Sequence, residues 1–160
     1  MRAISRKFTV ILIVFALAAL AIPAGAPGAG AEDDPVAMEI RVEPETAGPG
    51  QKVQVTLQLT PKSGYKLNKY PQISLKVPEM DGVVSATSGS VGSKTPPPPE
   101  KMDDNYFKTV DPLVLSLELD PGLKAGRYEI AAKLKYFYCV KASGYCAPMR
   151  QDISIPIRVE

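Results

Sequence analysis

Histidine and tryptophan are absent from this 160-residue chain, and cysteine occurs only twice. Without imidazole there is no histidine-ligated zinc or haem, no Ser-His-Asp triad and no Cys-His nucleophile pair within the chain. Whatever the two cysteines do, they do without a histidine base of their own. Proline and glycine, by contrast, are plentiful at 16 and 12 residues, which argues for many turns and against a helical bundle. Hydrophobic residues at 45% and charged residues at 22% describe a globular protein whose length suits one domain.

The beginning of the chain reads as an export signal. Arg2, Arg6 and Lys7 precede the apolar run Phe8 to Ile22, broken only by Thr9, and small residues then lead to Ala29-Gly30-Ala31 before Glu32-Asp33-Asp34. This is the layout of a cleavable secretory signal, with cleavage expected after Ala31. The alternative is an uncleaved anchor, but a spanning helix needs roughly 20 apolar residues and this run is shorter. No cysteine closes the run, which excludes lipoprotein acylation there, and Arg6-Lys7 is not a twin arginine, which points to the general secretory route. The expected product is periplasmic or otherwise exported, with no stable membrane span.

Removing residues 1–31 takes away three basic residues and no acidic one, so the charge of the remainder is 16 − 17 = −1. The basicity of the whole chain belongs to the signal. No nucleic-acid partner is expected, because such a footprint needs a clear excess of Lys and Arg. The sequence also calls for no cofactor and no resident metal. Residues 32–36 are expected to form a flexible leader and residues 37–160 the domain.

From Ala37 onward the apolar residues recur with period two, the signature of half-buried strands. Met38, Ile40 and Val42 make one strand; Val53, Val55, Leu57 and Leu59 make another after the turn cluster 44–51. Strand structure is expected across 65–77 with an interruption near Pro71, and a short edge strand at Val83-Val84. Ser85 to Asp104, including Pro96 to Pro99, reads as a long loop with a polyproline segment. Leu113, Leu115, Leu117 and Leu119 alternate cleanly, as do Ile130 to Tyr138 and Ile153 to Val159. Tyr128, just after the turn that starts at Asp120-Pro121-Gly122, stands where a tyrosine corner stands in immunoglobulin-like domains. The expected fold is an all-β, immunoglobulin-like antiparallel β-sandwich of about seven to nine strands.

Cys139 and Cys146 flank a predicted hairpin loop, Val140 to Tyr145. Two strands leaving one hairpin can bring their α-carbons to disulfide distance. A ring of about eight residues contributes only roughly 2.5 kcal/mol in the chain-entropy model. One reading is a structural staple of an exported, non-catalytic binding or assembly module. Another is a redox-active pair, because a bridge at a loop tip is open to an attacking thiolate and the hairpin can stay folded whether bridged or not. A third is a soft-metal carrier using the two thiolates for Cu(I), although Met80, Met102 and Met149 are not clustered in sequence.

Tyr136-Phe137-Tyr138-Cys139, then Ala142, Gly144-Tyr145-Cys146-Ala147-Pro148 and Ile153-Ser154-Ile155 resemble the carboxy-terminal signature of the amino-terminal periplasmic domain of the thiol:disulfide interchange protein DsbD. Ser63-Gly64-Tyr65-Lys66-Leu67 and the segment Leu123 to Tyr128 are similar to further stretches of that family, in the same order. The spacing departs from it: Cys-x6-Cys is one residue longer than the usual loop of the family. The resemblance implies an immunoglobulin-like electron-relay domain that exchanges disulfides through Cys139 and Cys146. It also implies partners in trans, a membrane thiol reductase and thioredoxin-like periplasmic proteins, since this chain has no Cys-x-x-Cys motif and no multi-spanning region. By the same resemblance an aromatic cap covers the cysteines. Its place in chain order falls within Lys94 to Lys108, where Tyr106 or Phe107 would be the lid; the alternative is that these two residues pack in the core. Tyr65, Tyr145 and Pro148 are the other expected partner-binding or cap residues, and Tyr70 and Tyr138 are further candidate walls. Attack is expected at Cys146 with Cys139 as the resolving thiol, and Lys141 and Arg150 are the cations placed to favour a thiolate.

Overall fold

Alternation of apolar and polar residues produces two sheets in the computed structural model, which describes residues 34–160. The expected signal and the first two residues of the leader lie outside the described residues. The strands, in chain order, are β1 (Val36–Glu43), β2 (Thr46–Ala47), β3 (Lys52–Pro61), β4 (Tyr65–Leu67), β5 (Ile73–Val77), β6 (Thr87–Val91), β7 (Leu113–Glu118), β8 (Gly126–Val140) and β9 (Cys146–Val159). One sheet runs β1-β3-β7 and the other β2-β9-β8-β5-β6, with β4 added along β8.

The inner faces are those the period-two pattern marks. Val53, Val55, Leu57 and Leu59 of β3 and Leu113, Leu115 and Leu117 of β7 are buried, as are Ile73, Leu75 and Val77 of β5 and Ile130, Ala132, Leu134 and Tyr136 of β8. Ile155, Ile157 and Val159 complete the layer from β9. Burying these faces against each other removes apolar surface from water, the dominant favourable contribution to folding. The fold is thus the expected all-β sandwich of the immunoglobulin-like class. The Tyr128 hydroxyl donates to the Lys124 carbonyl at 2.8 Å, the bond of a tyrosine corner.

Four expectations need correction. The leader does not extend to residue 36: Pro35 and Val36 are buried, Val36 opens β1 opposite Pro61, and the Lys62 amide donates to the Pro35 carbonyl. The sandwich is not wholly antiparallel, because Thr46 and Ala47, within an expected turn, pair in parallel with Arg158 and Val159. The segment 85–104 is not one loop. Thr87–Val91 forms an edge strand on β5, and Pro99–Asn105 forms a short 3-10 helix with proline in its first turn. The strand sequence Thr-Ser-Gly-Ser-Val lacks an apolar alternation, so it reads as loop although its backbone completes a ladder. Val84 makes only isolated bridges to Met80 and Leu119 rather than a strand.

The hairpin of β8 and β9 positions the cysteines. Its register runs unbroken from Gly126↔Val159 to Cys139↔Cys146. Gly144, with φ 70°, lies in the left-handed region and allows the connecting turn to close.

Candidate functional site

Cys139 and Cys146 are joined by a disulfide across directly opposed positions, with α-carbons 4.0 Å apart. The neighbouring Val140 amide donates to Tyr145 O at 2.8 Å, so the cysteines occupy the adjacent, closely spaced type of antiparallel pair.

The even-numbered residues of β8 from Tyr128 to Tyr138 face the core, and the odd-numbered ones face out. Cys139 therefore belongs to the outer face of its sheet, with Phe137 two residues before it. On β9 the outer face holds Cys146, Pro148, Arg150 and Asp152. The two sulfurs differ sharply in access: Cys139 is 3% exposed, whereas Cys146 is exposed. Burial of a residue on an outer face requires a cover. β4 supplies it, because Lys66 lies directly opposite Cys139 and Asn68 Oδ1 comes within 3.3 Å of the Cys139 sulfur. In the disulfide this is a plain S···O contact; once Cys139 carries a proton, its S–H has an acceptor in place. The Cys146 sulfur lies 3.5 Å from the Gly144 carbonyl.

Tyr106 reaches the same face. It bridges Asn68 in an antiparallel pair, and its ring lies under the Lys66 ammonium at 4.4 Å, a cation–π arrangement. Its tie to the cysteine pair runs through Lys66 and Asn68. The segment around Asn105 is strapped to the chain between β4 and β5. Asn105, buried, accepts from the Tyr70 amide at 2.9 Å and donates to the Tyr70 carbonyl at 3.0 Å. The Lys69 amide donates to Asn105 O, the Phe107 amide to Leu67 O, and the Lys69 ammonium to Asp104 O.

Of the residues expected around the pair, Tyr106, Pro148 and Arg150 share its face. Tyr65, Phe107 and Tyr138 do not. Phe107 packs against the core, as the second reading of that residue expects. Tyr65 sits on the inner side of β4, stacked edge-on with Tyr138 at 5.8 Å between ring centroids. Tyr138 packs against the core as well. Tyr145 is 61% exposed in the turn just before Cys146. The physical reason is the two-residue period: Tyr138 is an odd step from Cys139, and Tyr65 is an odd step from Lys66. Tyr65, Tyr106 and Phe107 nonetheless meet along one open groove of about 700 Å³, which Lys62, Lys66 and Lys141 also line. Tyr70 contributes its backbone to the Asn105 clamp.

Lys66, Asn68 and Phe137 are the residues that sequence reading misses. Phe137 was within reach, since it stands two residues from Cys139 on the same strand face. Lys66 and Asn68 are placed by the β4–β8 pairing, which joins positions about seventy apart and leaves no local trace.

For metal binding, the sulfurs are committed to each other in the oxidised state and are not thiolates. Met149 turns toward the core, Met80 packs against it, and Met102 is exposed on the 3-10 helix. Among the described residues no group of three or more Cys, Asp and Glu side chains is arranged to hold a metal ion, and no helix is long and apolar enough to cross a membrane.

No known family model matches the chain, and no curated protein matches it. Among solved structures, a cohesin module from a family 33 glycoside hydrolase of Clostridium perfringens ATCC13124 matches with a TM-score of 0.35 and 12% identity, covering 78% of this chain and 98% of that one.

Proposed function

We propose that the protein is an exported thiol-disulfide relay working through Cys139 and Cys146. The observation that carries this reading is the unequal exposure of two directly opposed cysteines on the outer face of a hairpin whose register is held by backbone pairing. The likeness of the cysteine segment to the amino-terminal domain of DsbD supports the same chemistry, and the signal-like amino terminus supports a periplasmic location.

A partner thiolate attacks the exposed Cys146 sulfur. A sulfur–sulfur bond forms between partner and Cys146 while the Cys139–Cys146 bond breaks, and Cys139 departs with the electron pair. The Cys139 thiolate takes a proton and its S–H is received by Asn68 Oδ1. The partner's second thiolate then attacks its own sulfur in the mixed disulfide, releasing Cys146. Two electrons and two protons have passed to the pair, and the partner's dithiol has become a disulfide. Reversal of these steps delivers the electrons to an oxidised partner. The attacking thiolate belongs to the other protein, so the absence of histidine here is no obstacle. The donor would be a membrane thiol reductase or its thioredoxin-like domain, and the acceptors oxidised thioredoxin-like proteins.

The near-complete burial of Cys139 favours a second reading, a binding or assembly module whose bridge is a staple. Trapping separates the two. In the relay, Cys139→Ser leaves Cys146 free to form a lasting mixed disulfide with a thioredoxin-like protein, and Cys146→Ser traps far less. Equal trapping by both variants contradicts the assignment of Cys146, and trapping by neither leaves the staple.

A further inference from the structure

The outer face that carries the cysteines continues away from them as a cationic surface. Cross-strand pairing sets Lys135 directly opposite Arg150 on one side and Ser74 on the other, and it sets Lys133 between Lys76 and Asp152. All of these charged side chains are exposed. Like charges placed opposite each other on a sheet are destabilising, and here they occur in two successive rows. Only Lys133 has an ion-pair partner, Asp152 at 3.6 Å; among the described residues Lys76, Lys135 and Arg150 have no carboxylate within ion-pair distance. The outer face of the other sheet is organised differently, with Arg41 paired to Glu39 and Lys52 to Glu118. A chain with a net charge of −1 after removal of residues 1–31 thus gathers unpaired cations on one face.

Between those cations and the disulfide lie Phe137 and Pro148, paired across the ladder, with the Lys135 ammonium 5.8 Å from the Phe137 ring. An apolar centre bordered by charge has the composition of a protein interface. We propose that this face, from Pro148 and Phe137 to Lys76, is a docking surface for an acidic surface of the partner protein. The identity of that partner as a dithiol protein rests on the relay reading. Unpaired cations beside the bridge steer an anionic surface to it and orient it, and the apolar pair next to Cys146 then seats it. The single carboxylate in the patch and the apolar pair favour a protein over a lipid or nucleic-acid polyanion.

The test uses a glutamate-rich peptide that contains phenylalanine and no cysteine, titrated into the oxidised, isotope-labelled protein and followed by amide shifts. The expected result is shifts along Lys133 to Phe137 and Met149 to Asp152. The same peptide with glutamine for glutamate should bind roughly tenfold more weakly, as expected of several exposed charge pairs acting together. The combined variant Lys133→Gln, Lys135→Gln, Arg150→Gln should lose this discrimination while its other amide shifts stay native, these side chains being exposed. Equal binding of the two peptides, or shifts elsewhere, overturns the proposal. So does binding of phosphatidylglycerol vesicles through these residues without binding of the peptide. Because the peptide has no thiol, its binding is independent of exchange. A bridge that resists reduction while the peptide still binds removes the relay and leaves the docking surface standing.

Discussion

The Cys139 sulfur lies 3.3 Å from Asn68 Oδ1, on a strand extension that covers one half of the disulfide and leaves the other half, Cys146, in solvent. The contact has different chemical content in the two redox states. Oxidised, the sulfur has no proton to give; reduced, it donates to an acceptor already in position. Asn68 therefore stabilises the dithiol state relative to the disulfide. Asn68→Ala should make the potential more negative by about 20 mV, the equivalent of about 1 kcal/mol for a neutral hydrogen bond. A redox equilibrium against a buffer of known potential measures it, and an unchanged or less negative value contradicts the role.

Asn105 holds its 3-10 segment to the chain ahead of β5 through both polar atoms of its amide. Truncation leaves the Tyr70 amide and carbonyl without these partners in a half-buried place, and each such loss is worth about 1 kcal/mol or more. Asn105→Ala should lower unfolding stability by about 1–3 kcal/mol in denaturant titration, with faster hydrogen exchange at the Lys69 and Tyr70 amides. Exchange unchanged at those two positions would show that the strap is not what orders the segment.

Tyr136 gives the fold an alkaline limit. Burial of its hydroxyl pushes its pKa well above the ordinary tyrosine value of 10.0, and the nearby Asp34 charge acts in the same direction. Below pH 10 both folded and unfolded forms are protonated and the group has no effect on stability's pH dependence. Above it the unfolded tyrosine ionises while the folded one stays neutral, so the unfolded state binds fewer protons and stability falls as pH rises. The slope from this residue is about 1.4 kcal/mol per pH unit. Tyr136→Phe should reduce the alkaline slope by that amount, measured by urea unfolding across pH 10 and above; an unaltered slope contradicts it.

The sandwich was legible because its strands are half-buried and alternate: Leu113 to Leu117 and Ile130 to Tyr136 announce both their conformation and their inner face. β6 and β2 were not, since Thr87–Val91 and Thr46–Ala47 join ladders by backbone alone. At the site, the cysteines and Pro148 could be read from the hairpin. Tyr65 and Phe107 lie away from the face of the bridge because strand phase, which aromatic character does not reveal, decides the side a residue takes. Lys66 and Asn68 depend on β4 lying against β8, and Tyr106 on a bridge to Asn68, pairings set by tertiary packing rather than by any neighbouring residues.

In the proposed relay the Cys139–Cys146 bridge is exchanged rather than kept. Its reduction potential decides this most directly, because structural disulfides of exported proteins typically have potentials below about −300 mV. Equilibration of the protein with a graded dithiol buffer, followed by thiol alkylation, should give a potential less negative than about −300 mV with both cysteines titrating together. A bridge still oxidised at about −300 mV would contradict the relay and identify the disulfide as a staple.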